Sequence, residues 1–100
     1  MEISNESKQL MIAMQNGEAT EAVIYRRIAG RVKDENNRAA LLRIADEEAA
    51  HALIWQSYTG VEARVNRVKV FLYTMLAFLF GFTSSFGVTI EQISPENLPH

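Results

Sequence analysis

Apolar residues recur every three to four positions along the first sixty residues, and strict alternation of apolar and polar residues is almost absent. This period is typical of amphipathic α-helices, whereas a half-buried strand alternates at every second residue. Both prolines lie within the last six residues, so none interrupts a helix before about residue 90. The pattern therefore predicts an all-α fold.

Capping signals divide this pattern into separate helices. Ser4 and Asn5 are N-cap candidates for a first helix, Asp34 is one for a second helix, and Gly60 is a C-terminal stop signal. The turn before the second helix is so short that the first two helices are expected to form an antiparallel hairpin. The predicted elements are helices over about 5–32, 36–58 and 66–86 in a domain of residues 1–90, and a polar tail over 91–100.

Acidic residues and a histidine occupy positions of the hairpin where leucine is expected. On a seven-residue grid, the positions that face a neighbouring helix carry three glutamates and one histidine. A buried carboxylate is costly unless it is paired, protonated or bound to a metal. Residues that share one position of the grid form a stripe along the helix, and each helix has two such stripes. On the first helix they are Met11, Glu18, Tyr25 and Val32, and Met14, Glu21 and Ile28. On the second helix they are Leu41, Glu48 and Trp55, and Ile44, His51 and Tyr58.

The antiparallel register predicts that these polar residues meet in one layer. With the turn centred near residue 33, Glu18 lies level with Glu48, and His51 follows Glu48 at a spacing of three on the same helical face. Carboxylate oxygens with an imidazole nitrogen suit iron, and also manganese or zinc. One chain supplies too few ligands for a bridged pair of metals, whereas two copies would supply four glutamates and two histidines.

Simpler interpretations of the same residues stay open. Glu21 is either a further metal ligand or the partner of Arg26 or Arg27 in an ion pair. Tyr25 either donates a hydrogen bond beside the ligands or only fills the core. The whole layer is either a metal site or a hydrogen-bonded network that fixes the register of a dimer.

The motif residues resemble a known superfamily. Glu18, Tyr25, Glu48 and His51, with ADEEAAHALIW around the second pair, resemble the rubrerythrin and ferritin-like superfamily. The thirty-residue separation of the two glutamates resembles the encapsulated ferritins, two-helix proteins that dimerise to assemble a ferroxidase centre. A longer stretch, about residues 10–83, resembles the ferritin-like domains fused to vacuolar iron transporter-type membrane proteins.

This resemblance implies an iron-binding function. It implies a di-iron centre with Glu18, Glu48 and His51 as ligands, in a ferritin-like four-helix bundle completed by a homodimer or higher homo-oligomer. The implied activity is oxidation of Fe(II) to Fe(III) for storage or detoxification, with an encapsulating shell or a membrane transporter as a further partner. The longer fused domains carry a second Glu-x-x-His, but here Asn97 stands three residues before His100. The centre implied by the resemblance is therefore intermolecular.

Two other classes of function remain as alternatives. The chain could be a non-enzymatic metal-sensing module, as the cytoplasmic part of a membrane iron transporter, or a purely structural oligomer. A net charge of −2 gives no broad basic surface for nucleic acid, and the absence of cysteine excludes thiolate metal sites.

The location of the protein depends on an uncharged stretch near its end. The first residues contain no basic segment followed by an apolar run, which predicts a cytoplasmic protein. The stretch 70–90 contains 21 residues without charge, which is long enough to span a membrane or to associate with one. Arg64, Arg67 and Lys69 precede it, as expected for a segment whose amino-terminal side is cytoplasmic. A third helix buried in an oligomer is the favoured interpretation.

Overall fold

The computed structural model describes residues 3–79, which form three α-helices and no strand. The prediction of an all-α fold is confirmed for these residues. The first helix ends three residues before the predicted boundary, and the predicted end of the third helix and the tail lie outside the described residues. The helices are α1, Asn5–Ala29; α2, Glu35–Thr59; and α3, Arg67–Leu79.

The helix ends are formed by the capping residues that the sequence predicts. The Ser7 backbone N–H donates to the Ser4 side chain at 3.1 Å, and the Asn37 backbone N–H donates to the Asp34 side chain at 2.9 Å. Each bond satisfies a backbone donor that has no partner within its own helix. Gly60 ends α2 with φ 71°, in the left-handed region where a side chain would be strained.

The hairpin of α1 and α2 has a core that combines small and branched residues. Alanines let the two backbones approach closely, and Leu41 is completely buried between them. The third helix packs against α1 and, within residues 3–79, makes no contact with α2. The buried apolar cluster comprises Ile24, Ile28, Ala29, Ala40, Leu41, Val70 and Ala77.

Polar side chains of α1 fix the segment that connects α2 to α3. The Gln15 side chain is fully buried, donates to the Val61 carbonyl at 2.7 Å and accepts from the Thr59 hydroxyl at 2.8 Å. The Asn66 backbone N–H donates to Thr20 at 3.0 Å. These bonds place the start of α3 beside the middle of α1.

The third helix then runs along α1 in the same direction. Its far end lies beside the end of α1, where the Arg31 guanidinium is 4.9 Å from the centre of the Phe78 ring. None of the helices within residues 3–79 combines the length and the apolar character needed to cross a bilayer. More than half of the uncharged stretch 70–90 lies outside the described residues.

Candidate metal centre

Glu18, Glu48 and His51 form one cluster on the hairpin. One possible ligand atom from each residue lies within 4.8 Å of the ligand atoms of the other two. Glu18 Oε1 is 3.6 Å from His51 Nδ1. Three of the four polar residues that the seven-residue grid singles out are therefore brought together within a single chain.

The local sequence explains why these side chains meet. Glu48 and His51 are three residues apart on α2, so both project from one face of that helix. Ala22 on α1 and Ala45 and Ala52 on α2 are buried. Because these side chains are short, the two backbones lie close enough for a glutamate of α1 to reach an imidazole of α2.

The cluster is buried on one side and open on the other. The Glu18 side chain is 20% exposed, whereas the His51 side chain is 54% exposed. Glu18 Oε2 is buried and has no hydrogen-bond partner among the described residues. A buried carboxylate oxygen without a partner is costly, because it loses its water and gains nothing in return. A cation bound there would remove that cost.

Glu21 extends the acidic cluster by contacting Glu48. The two carboxyl groups lie close enough for a protonated Glu48 to donate to Glu21. The pKa of Glu48 is raised to about 7, first by burial, then by the hydrogen bond that its protonated form can make to Glu21 and by the negative charge of Glu21, and last by the charges of Glu18 and Glu47. Near neutral pH about half of the sites therefore hold a proton that a bound metal could displace.

Glu21 does not form an ion pair with Arg26 or Arg27, which was the alternative to a role as a metal ligand. Arg26 Nη2 instead lies 3.2 Å from Asp46 Oδ1 on α2, and within residues 3–79 neither Arg26 nor Arg27 pairs with Glu21. The acidic cluster therefore receives no arginine from these two positions.

Tyr25 lies beside the acidic cluster and is partly buried. Its pKa is raised, first by burial and then by the negative charges of Glu21 and Glu48. Within residues 3–79 its hydroxyl makes no hydrogen bond to a carboxylate, so its role as a donor to a ligand stays a prediction.

The donor set fits a divalent transition-metal ion. Two carboxylates and one imidazole offer oxygen and nitrogen donors, the combination that iron, manganese and zinc accept. Two ligands of one such ion, each about 2.1 Å from it, lie at most about 4.2 Å apart. The atoms of the cluster, all within 4.8 Å of one another, could reach that spacing by small side-chain rotations.

The face that carries His51 is more open than the grid predicts. The grid places Met14 and Tyr58 at positions that face a neighbouring helix, but they are 47% and 61% exposed. In a two-helix hairpin only one of the two stripes on each helix can be covered by the other helix. Met14, His51 and Tyr58 therefore lie on an open part of the hairpin surface.

A groove between α1 and α3 adjoins the acidic cluster and was not predicted. Its volume is about 490 Å³, and its walls are mainly apolar. Residues spaced by three and four along α3 form one wall, and this periodicity is the only sequence signal that could have indicated it. The lining is Glu21, Ile24, Tyr25 and Ile28 from α1, and Lys69, Tyr73, Leu76 and Ala77 from α3.

Comparison with known proteins does not assign the cluster a function. No protein-family model, curated protein or solved structure matches this chain.

Proposed function

We propose that this chain binds iron at a ferritin-like centre completed by a second copy of itself, and that it oxidises Fe(II) to Fe(III). The observation that carries the proposal is the meeting of Glu18, Glu48 and His51, with a buried and unpartnered oxygen on Glu18. In a hydrogen-bonded network that served only to fix helix register, such an oxygen would be expected to have a partner.

The need for a second copy follows from the number of ligands. A bridged pair of metals in a four-helix bundle takes a glutamate from each of two helices and a Glu-x-x-His pair from each of the other two. One hairpin supplies half of this set. The half-exposed His51 and the exposed apolar residues Met14, Ile54 and Tyr58 supply a face on which a two-fold related hairpin could add the other half.

Each residue of the cluster has a specific role in this proposal. Glu18 and His51 would be terminal ligands of the bound iron, and Glu48 or its counterpart in the second copy would be the shared ligand. Glu48 gives up its proton when the site is loaded, since a nearby cation favours the charged carboxylate. Fe(II) is the substrate, and ferroxidase chemistry passes one electron from each Fe(II) to oxygen or peroxide.

The first test is the metal content and the mass of the protein in solution. Protein purified without chelators is expected to be a dimer that holds two irons and consumes oxygen when Fe(II) is added. Replacing His51 by alanine should abolish iron binding and oxygen consumption. The helices should remain, because the His51 side chain is half-exposed and contributes little to the core. The Glu47→Gln variant is the matched control, because Glu47 is exposed beside the cluster.

The same measurements separate the proposal from its alternatives. Metal binding without sustained oxygen consumption would assign the chain to metal sensing instead of catalysis. A dimer that contains no metal and is stabilised by replacing both Glu48 and His51 with leucine would be a structural oligomer. Storage of the oxidised iron would in addition require a surrounding shell.

A further inference from the structure

The third helix has two apolar faces, and only one of them is packed. Val70 and Ala77 are buried against α1. About half a turn away, a second stripe of large apolar residues is between 41% and 71% exposed. We name it the outer stripe of α3, and its members are Val68, Phe71, Leu72, Met75 and Leu79.

The outer stripe points away from both the core and the metal centre. The residues of α3 that reach toward Glu21 and Tyr25 are Lys69, Tyr73 and Leu76, which line the groove. A second copy placed over His51 would therefore leave the outer stripe uncovered. This surface needs an explanation of its own, since contiguous apolar patches on soluble proteins usually mark interaction sites.

Positive charge borders the outer stripe at its beginning and at its end. At about 100° per residue, Arg67 lies on one edge of the stripe near its beginning. Arg31 lies beside Phe78 at its other end. No aspartate or glutamate occurs from residue 63 to residue 79. An apolar stripe bordered by cations is typical of helices that lie in the interface of an anionic membrane.

We propose that the outer stripe of α3 docks onto an anionic lipid surface. The helix would lie parallel to the bilayer, with Phe71 and Leu72 at the acyl boundary and Arg31 and Arg67 among the phosphate groups. A convex face on a single helix suits a flat lipid surface, since it forms no groove of its own. A second copy of the stripe is a poorer partner, because it offers these cations no carboxylate.

The test is co-sedimentation of the full chain with vesicles. Vesicles of phosphatidylcholine mixed with phosphatidylserine are compared with vesicles of phosphatidylcholine alone. The chain is expected to bind the anionic vesicles and to be released by salt. The double variant Phe71→Gln/Leu79→Gln should lose binding, whereas the matched variant Leu10→Gln/Leu53→Gln, at positions that are 66% exposed elsewhere, should bind normally.

A second pair of variants tests the role of charge. The double variant Arg31→Gln/Arg67→Gln should bind anionic vesicles roughly twentyfold to thirtyfold more weakly, at about fivefold for each cation near the surface. Arg38→Gln/Arg43→Gln removes the same charge from exposed positions of α2 and should have little effect. The circular dichroism spectrum of each variant verifies that the helices are retained.

Several results would overturn the proposal. One is the absence of binding to either type of vesicle. Another is equal binding to both types that does not respond to salt or to the arginine substitutions. A third is self-association that disappears in the Phe71→Gln/Leu79→Gln variant without any lipid binding, because the stripe would then be a contact between copies. The His51→Ala variant should bind vesicles normally, so failure of the metal proposal would be seen separately.

Discussion

Replacing Glu48 by glutamine should stabilise the metal-free protein above neutral pH. The substitution keeps the shape of the side chain and removes a charge that burial and three neighbouring carboxylates oppose. The pKa of Glu48 is about 7 in the folded chain, against an ordinary value of 4.5. The folded state therefore holds a proton between these pH values that the unfolded chain has already released.

The sign of the pH effect follows from proton linkage. Where the folded state binds more protons than the unfolded state, the free energy of unfolding falls as pH rises. For Glu48 this loss begins near pH 4.5 and is complete once the pH exceeds about 7. The full shift corresponds to roughly 3 kcal/mol, and solvent screening of this partly exposed group reduces the expected loss to about 1–2 kcal/mol.

The assay is urea unfolding in the presence of a chelator, at about pH 5 and about pH 8.5, on either side of this transition. Wild-type protein should lose about 1–2 kcal/mol between the two conditions through Glu48, while Glu48→Gln should remove that part of the loss. Glu21→Gln should act in the same direction, because Glu21 contributes to raising the pKa of Glu48. Glu47→Gln is the control, since its charge contributes least.

Glu48 would not be the source of this pH dependence if Glu48→Gln were less stable than the wild type at the higher pH, or if its stability fell with pH as steeply as that of Glu47→Gln. Metal provides the complementary test. An added divalent ion should stabilise the wild type more strongly as pH rises through about 7, because the ion displaces a proton from Glu48. In the Glu48→Gln variant, the stabilisation by the metal ion should not increase with pH in this way.

Three further substitutions test the fold. Gln15→Ala should cost about 2–3 kcal/mol of stability, because it leaves the Thr59 hydroxyl and the Val61 carbonyl without their buried partner. Leu41→Ala should cost about 3 kcal/mol, whereas Leu42→Ala should cost less than about 1 kcal/mol, because Leu41 is fully buried and Leu42 is 42% exposed. Asp34→Ala should cost about 1 kcal/mol through loss of the N-cap of α2. Urea unfolding measures all three.

Two exposed positions serve as controls for these substitutions. Gln9→Ala removes the same amide from an exposed site of α1, and Asn36→Ala changes an exposed residue in the first turn of α2. Both should change stability by less than about 0.5 kcal/mol. A loss in Gln9→Ala as large as that in Gln15→Ala would contradict the assignment of the buried hydrogen bonds.

The sequence predicts the features that depend on local spacing. The caps at Ser4 and Asp34 and the stop at Gly60 can be read from residue type alone, because each satisfies backbone groups of its own helix. Glu48 and His51 are spaced to share a helical face, and the short turn brings Glu18 of the preceding helix to the same level. The grid could therefore find the three residues of the cluster.

Features that depend on distant partners could not be predicted. Gln15 looks like a surface amide in the sequence, yet it is fully buried. Its burial could not be predicted, because its partners Thr59 and Val61 lie more than forty residues away in sequence. Arg26 pairs with Asp46 and not with Glu21, since the choice depends on how the two helices are rotated against each other. The placement of α3 on α1 follows from polar bonds in the connecting segment, which no helical period encodes.

Within residues 3–79, α1 packs against both α2 and α3, and this arrangement has a mechanical consequence. In this part of the chain, a displacement of α3 reaches the histidine of α2 through α1 or across the groove. Glu21 and Tyr25 line that groove and also adjoin Glu48. The same part of α1 therefore lies against α3 on one side and against the metal centre of α2 on the other, and both contacts limit which side chains it can carry.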